Sequence, residues 1–324
     1  MNGPIERVAI VGAGLIGLGW AVVFSRAGYQ VTVTDSDPAQ LDAFGERARA
    51  ELELCAAEAG AGEGVDVEGS LERIACEADL AAAVGDADYV QECVPELIDL
   101  KREVFKTLDE FTRPDAILAS SASALPPDEI FEQVSPESRA RCLVAHPTNP
   151  PHIVPLVELV GGSATPPDLI EAARAFLAAV GQTPIVVLKP VYGFVLNRIQ
   201  LALLREAVSL AREGVASVAD IDRAVSEGLG LRWALLGPYG VEATNADGVR
   251  DDLEKFGDYT AAVWRELSVV NDPISEADIQ LAVDGVAELW GDFSNEELAE
   301  RRNRFVLRVR ALKAAMAEST PPVS

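Results

Sequence analysis

Residues 7–17 read Arg7-Val8-Ala9-Ile10-Val11-Gly12-Ala13-Gly14-Leu15-Ile16-Gly17, and they decide the fold. A short apolar run that ends in a glycine cluster predicts a buried strand followed by a tight turn. Leu18 to Ala27 then carries helix-forming residues, and Gln30 to Thr34 alternates as a β-branched strand that stops at Asp35-Ser36-Asp37-Pro38. Strand, glycine turn, helix and strand make a βαβ unit of the length that a parallel pair requires. Within it Gly12 permits the tight turn, Gly14 lets the backbone approach a pyrophosphate, and Gly17 allows helix and strand to pack closely, while the helix N-terminus attracts phosphate charge. Asp35, 18 residues past Gly17, is placed to accept hydrogen bonds from adenosine ribose hydroxyls. The loop offers Asp35 and Asp37 and no Arg or Lys for a 2′-phosphate, which favours NAD over NADP. On the fingerprint alone FAD stays open.

Outward from this unit, further strands are predicted at Ala87 to Gln91, Ala116 to Ser120, Arg141 to Ala145, Leu156 to Val160 and Thr183 to Val187. Helical stretches such as Leu97 to Phe111 and Pro166 to Val180 separate them. This alternation predicts an α/β fold, with an N-terminal Rossmann-type doubly wound sheet. After Lys189-Pro190 the texture changes to long amphipathic segments: Phe194 to Arg212, Val218 to Glu227, Ala277 to Trp290 and Asn295 to Ala317. The expected division is a dinucleotide-binding domain over 1–190 and an all-helical C-terminal domain over 191–324. A chain of 324 residues, 49% of them hydrophobic, is also long for one core and suggests two.

Composition narrows the partners. With 27 basic and 52 acidic residues the formal net charge is −25, which repels nucleic-acid phosphates and anionic lipid head groups. No apolar run is long enough for a bilayer span, and Met1 to Ile10 leads into a strand instead of a signal segment, so a soluble cytoplasmic protein is expected. The four cysteines, Cys55, Cys76, Cys93 and Cys142, show no metal or redox spacing, so reduced thiols and no metal site are expected.

Only two histidines are present, His146 and His152, both within Ala145-His146-Pro147-Thr148-Asn149-Pro150-Pro151-His152. If imidazole moves a proton in this protein, the candidates are already reduced to two. His146 ends a predicted strand, where open α/β sheets place ligands. Glu158 interrupts the apolar strand Val157-Glu158-Leu159, and a buried carboxylate needs a partner that the neighbouring strand's imidazole can supply. Such a pair suits removal of a hydroxyl proton as hydride leaves an alcohol. The plainer reading is a core histidine and a solvated edge glutamate.

At this point the chain resembles the 3-hydroxyacyl-CoA dehydrogenase superfamily, within it the lambda-crystallin or L-gulonate 3-dehydrogenase branch. The resemblance runs over nearly the whole length. It rests on Gly12 to Gly17, on Gln91-Glu92-Cys93-Val94-Pro95-Glu96 with Lys101, and on Ala119-Ser120-Ser121-Ala122-Ser123. It continues through His146-Pro-Thr-Asn-Pro-Pro, Pro155-Leu156-Val157-Glu158-Leu159-Val160, Gly193-Phe194-Val195-Leu196-Asn197-Arg198 and Gly230-Leu231-Arg232-Trp233-Ala234. It implies His146 as general base with Glu158 its partner, Ser123 as the hydroxyl that bonds the substrate oxygen, and Asn197 as an amide that holds substrate. It also implies that Leu15, Ile16, Asp35, Glu96 and Lys101 contact NAD, and that the chain forms a homodimer through its helical domain. The departure is Ser121-Ala122-Ser123-Ala124, where the family pattern often has Asn before a Thr-Ser pair; the hydroxyl at 123 survives in less polar surroundings.

Two features bear on substrate. Acyl-CoA members carry a Lys-rich helical excursion after the second strand, whereas Pro38 to Ser70 here holds Asp42, Glu46, Glu51, Glu53, Glu58, Glu63, Asp66 and Glu68 against Arg47 and Arg49, a poor host for polyanionic CoA. Arg232 stands where acyl-CoA members have a small residue, and its guanidinium can bind a free carboxylate bidentately. The expected substrate is therefore a small free 3-hydroxy acid, L-gulonate-like. Alternatives are L-carnitine, for which Trp233, Tyr239 and Glu242 could receive the cation, and 3-hydroxybutyryl-CoA. A crystallin-like structural or NAD-sensing role is the non-enzymatic reading. His152 is expected at a pocket edge or on the surface, without a role.

Overall fold

The computed structural model describes residues 4–58, 64–267 and 273–319. These form two compact units, one from residues up to Arg198 together with those from Asn303 on, the other Ile199–Arg302. In the first unit the chain runs β1 (Arg7–Val11), α1 (Leu15–Arg26), β2 (Gln30–Thr34), α2 (Pro38–Asp42), α3 (Phe44–Glu58), α4 (Val67–Glu72), β3 (Ile74–Cys76), α5 (Leu80–Val84) and β4 (Tyr89–Glu92). It continues with α6 (Ile98–Phe111), β5 (Ile117–Ser120), α7 (Pro127–Ile130), β6 (Cys142–Pro147), β7 (Leu156–Gly161), α8 (Pro167–Ala179) and β8 (Thr183–Val187). Helix α9 (Leu196–Arg212) starts in this unit and leads into α10 (Val218–Arg223), α11 (Gly230–Glu242), α12 (Val249–Glu266) and α13 (Glu276–Trp290); α14 (Asn295–Ser319) ends back in the first unit.

The eight strands make one sheet in the order β3-β2-β1-β4-β5-β6-β7-β8. The Rossmann-type sheet expected from the glycine turn is present, and it crosses from β2 over β1 to β4, the reversal of strand order outside which such sheets bind ligands. Apolar side chains of α1 and α8, among them Trp20, Phe24 and Phe176, cover one face, and Phe105, Leu108 and Phe131 cover the other. Two-sided cover explains why the central strands are apolar throughout instead of alternating.

β7 is the exception to the parallel order. It pairs antiparallel with β6, in a register that sets His146 opposite Glu158, and β8 then runs parallel to β7. The direction of β7 leaves no mark on its composition. β3 is a three-residue edge strand, too short for an apolar pattern to announce it.

The second unit is helical, as expected. It contains two helices for which the sequence carried no explicit expectation, α11 and α12. α11 follows a wide helical turn at Ala224–Leu229 and bends at Gly237, whose φ of 68° precedes Pro238. Among the described residues no helix is long and apolar enough to cross a membrane. All four cysteines are unbridged.

Candidate active site

The turn between β1 and α1 shows why glycine is needed twice. Gly12 has φ 110°, and a Cβ there would stand 2.7 Å from the Cys93 carbonyl oxygen; a Cβ on Gly17 would stand 1.8 Å from the carbonyl oxygen of Gly12. At Gly14 a Cβ would meet nothing within 4 Å, so this bare backbone faces open space. That space is a cleft of about 890 Å³ lined by Gly12, Gly14, Leu15, Ile16, Asp35, Asp37, Glu96, Ser121, Ser123 and Asn149, among others. A volume of that order accommodates a large cofactor. Leu15 is 68% exposed on its rim, an apolar side chain left for a ligand to cover.

Asp35 closes the end of β2. One carboxylate oxygen accepts from the Ala13 N–H at 2.7 Å and the other from Asp37 N–H at 2.9 Å. The side chain is thereby fixed, and each oxygen retains a lone pair for a hydroxyl donor. Arg47, on α3, donates to the Ala13 carbonyl at 3.1 Å and to Gln40 Oε1 at 3.0 Å. It braces the glycine loop from a position that the Asp35–Pro38 loop does not reveal.

The residues carried by the Gln91–Lys101 motif separate in the structure. Glu96 lines the cleft, and its Oε1 accepts from the N–H groups of Ser123 and Ala124 at 2.8 and 3.0 Å. Lys101, expected to contact the cofactor, is instead 1% exposed and does not line the cleft. Its ammonium lies 2.8 and 3.1 Å from the two oxygens of Glu92, 3.2 Å from the Val94 carbonyl and 3.4 Å from Glu96. The reason is Glu92, a fully buried carboxylate that no reading of the sequence singled out. Burial pushes its carboxyl upward, opposed by Lys101, the Ser120 hydroxyl and the Val94 N–H. A buried charge without such partners is costly, so the pair fastens the end of β4 to α6 and shapes the Cys93–Glu96 wall. Cys93 lies on that wall, and burial pushes its thiol well above the ordinary range, so it stays protonated at neutral pH.

The two central side chains meet. His146 Nδ1 lies 2.8 Å from Glu158 Oε2, and both residues are buried, 6% and 1% exposed. Glu158 Oε1 accepts from Val195 and Leu196 N–H at 2.8 and 3.0 Å. These amides open α9 after a turn in which Gly193 and Phe194 both have positive φ, 76° and 46°. The carboxylate therefore caps a helix N-terminus as well as holding an imidazole. Burial alone would raise the pKa of Glu158; His146 and the two amides outweigh it and hold the carboxyl below its ordinary value. Asn197, in the first turn of α9, donates from Nδ2 to the Ser123 carbonyl at 2.9 Å. The Ser123 backbone is thus held by Glu96 and by Asn197, and the residue lines the cleft.

Of the two places expected for His152, the surface is not the one it takes: it is 3% exposed and lines a cleft with Arg26, Arg73 and Arg310. Glu51 from α3, 101 residues away, meets its Nε2 at 2.8 Å. The acidic stretch after β2 is likewise not all solvated: Glu58 is largely buried against Arg304 and Arg308, whereas Glu68 pairs with Arg49 at the surface. Glu63 lies outside the described residues. Arg232, on α11, is exposed and has no carboxylate partner among the described residues.

Comparison with known proteins identifies the family. The family model "3-hydroxyacyl-CoA dehydrogenase, NAD binding domain" matches residues 7–191, and "3-hydroxyacyl-CoA dehydrogenase, C-terminal domain" matches residues 193–262. Lambda-crystallin of Oryctolagus cuniculus is 38% identical over 251 residues, 78% of either chain. L-carnitine dehydrogenase of Bacillus cereus is 37% identical over 94% of this chain and 91% of its own. Among solved structures, an NAD+-dependent dismutase described as 5-formyl-3-hydroxy-2-methylpyridine 4-carboxylic acid 5-dehydrogenase superposes with a TM-score of 0.80 at 29% identity, covering 96% of this chain and 99% of that one.

Proposed function

We propose that this chain, which belongs to the 3-hydroxyacyl-CoA dehydrogenase family on its lambda-crystallin branch and is an NAD-dependent oxidoreductase, oxidises the 3-hydroxyl of a small free 3-hydroxy acid to the ketone. The observation that carries the reading is the buried 2.8 Å pairing of His146 with Glu158, whose carboxylate also takes the Val195 and Leu196 N–H groups next to Asn197. When bound, NAD would supply the hydride acceptor, and the Gly12–Gly17 turn, Asp35, Leu15, Ile16 and Glu96 would hold it. His146 Nε2 takes the hydroxyl proton, since Nδ1 is turned to Glu158. Glu158 stabilises the imidazolium that forms, as a carboxylate fixed by two backbone N–H groups does. Ser123 orients the substrate oxygen, and Asn197 fixes Ser123 through its carbonyl. Lys101 acts through Glu92 and Glu96 instead of touching the cofactor.

The free acid is preferred because Arg232 offers a guanidinium that no carboxylate of the described chain occupies, matched to a substrate carboxylate. L-Carnitine is the second reading, favoured by the 37% identical L-carnitine dehydrogenase; it too is a 3-hydroxy carboxylate, so Arg232 serves both, and Trp233, Tyr239 and Glu242 on the same helix would meet its cation. The test is NADH formation with L-gulonate, L-carnitine, 3-hydroxybutyrate and 3-hydroxybutyryl-CoA. Turnover of any of the three free acids supports the reading, and activity confined to the thioester overturns it. In the same assay Arg232→Met is expected to raise KM for the acid by about a hundredfold, the loss of a charge-assisted bidentate contact of about 3 kcal/mol, with NAD affinity unchanged. Equal loss of both affinities would assign Arg232 a structural part.

Within the expected C-terminal domain of 191–324, the part that forms the second unit, Ile199–Arg302, is proposed to serve substrate binding and homodimerisation. The helices of Ile199–Arg302 leave Leu201, Leu204, Leu235, Phe256, Trp264 and Val283 exposed, more apolar surface than an isolated protein usually shows to water. Light scattering should return twice the 34.4 kDa chain mass; a monomer at micromolar concentration rejects this.

A further inference from the structure

α14 lies beyond residue 262, where the second family match ends. Its Arg310 Nη1 donates to the carbonyls of both His152 and Ile153, at 3.1 and 2.9 Å. Those carbonyls belong to the loop of residues 148–155, whose two ends are β6, carrying His146, and β7, carrying Glu158. The same loop supplies Asn149 to the wall of the dinucleotide cleft. His152 and Ile153 are buried, 3% and 0% exposed, so carbonyls there require a donor from the protein, and a guanidinium with two N–H bonds on one nitrogen satisfies both at once. Ile153 packs with Val22, Leu52 and Cys55 against Val306 and Leu307 of α14. The helix has a second, separate fastening: Glu58 of α3 receives Arg304 and Arg308.

We propose that Arg310 is a positioning residue for the reaction, holding the β6–β7 loop so that the His146–Glu158 pair keeps its place. The proposal rests on the reading of His146 as base. α14 then has two functions: Arg304 and Arg308 add stability through Glu58, and Arg310, on a helix that Val306 and Leu307 also seat against Ile153, fixes the loop.

Three variants of the full chain test it. Arg310→Met is expected to lower kcat between about tenfold and a hundredfold, the range that small misplacement of reacting groups produces, with Kd for NAD within about twofold of wild type, since the glycine turn is untouched. Arg310→Lys, which keeps a charged donor on a shorter reach, should recover most of that loss. Glu58→Gln should lower Tm with kcat unchanged, because the loop carbonyls keep their partner. A wild-type kcat in Arg310→Met overturns the proposal, and so does a loss of kcat in Glu58→Gln as large as that in Arg310→Met, which would make helix docking the cause. If Arg310→Met does not fold, Arg310→Gln replaces it, and wild-type kcat there overturns the proposal equally. Failure of the His146 reading itself is distinguishable: it appears as an active His146→Gln enzyme whatever the Arg310 variants do.

Discussion

Replacing His146 with Gln is expected to remove turnover while NAD still binds. The residue is one of two histidines in the chain, and the other, His152, is buried with Nε2 committed to Glu51. No second imidazole stands ready to take the proton. General bases of this kind contribute about 10²–10⁴ in rate, so kcat should fall by that factor or below detection. Gln fills a similar volume and can still hydrogen-bond Glu158, so the buried carboxylate is not left without a donor and the fold is retained. The proposed NAD contacts lie on the β1–α1 turn and at Asp35, and a titration with NADH, read by its fluorescence, should give Kd within about twofold of wild type. A His146→Gln enzyme with kcat within about fivefold of wild type would overturn the assignment, because a general-base loss cannot be that small.

What could be read in advance follows from how local each cause is. The glycine turn is legible because its constraint acts inside a few residues: Gly17 must approach Gly12, and the spacing records it. The partnership of His146 and Glu158 is legible because one charge interrupts an apolar strand and must be answered. The antiparallel register that sets the two face to face is not, since reversing a buried strand alters no residue on it. The part played by Glu92, visible in the sequence only as a member of a motif, is hidden for a related reason. At the end of Tyr89-Val90-Gln91-Glu92 a carboxylate reads as a solvated strand terminus, and only Lys101 on α6 shows it to be internal. Two polar residues closing an apolar strand were the available signal, because Gln91 is buried too and bonds Ser121 and the Ala145 carbonyl. His152 and Arg310 depend on partners over a hundred residues away. The pattern of α14 predicts a helix and says nothing of what it lies against.

Glu158→Gln is expected to be nearly as damaging as loss of the base, by a different route. In the native pair the carboxylate accepts at Oε2, so Nδ1 of His146 carries the proton and Nε2 is the free acceptor. A Gln that keeps its carbonyl oxygen on the Val195 and Leu196 N–H groups must turn its amide N–H toward Nδ1. Nδ1 then becomes the acceptor and the proton moves to Nε2, which can no longer take one from a hydroxyl. Loss of the correct tautomer together with the countercharge should lower kcat by about 10³–10⁴, with KM changed much less. Stability changes with pH as well. The native carboxyl of Glu158 is held below its ordinary value, so the folded state binds its proton less readily than the unfolded state. Its contribution is fully present above the unfolded value of about 4.3 and is lost as pH falls through the native value. Wild type should therefore lose stability in that acid window, and Glu158→Gln should be less stable at neutral pH with a flatter profile below about pH 4.3. Urea unfolding at pH 7 and pH 3.5 measures the difference. Parallel profiles for the two proteins, or a variant retaining more than about a tenth of wild-type kcat, would show that Glu158 neither sets the tautomer nor carries the charge that the α9 N-terminus and His146 share.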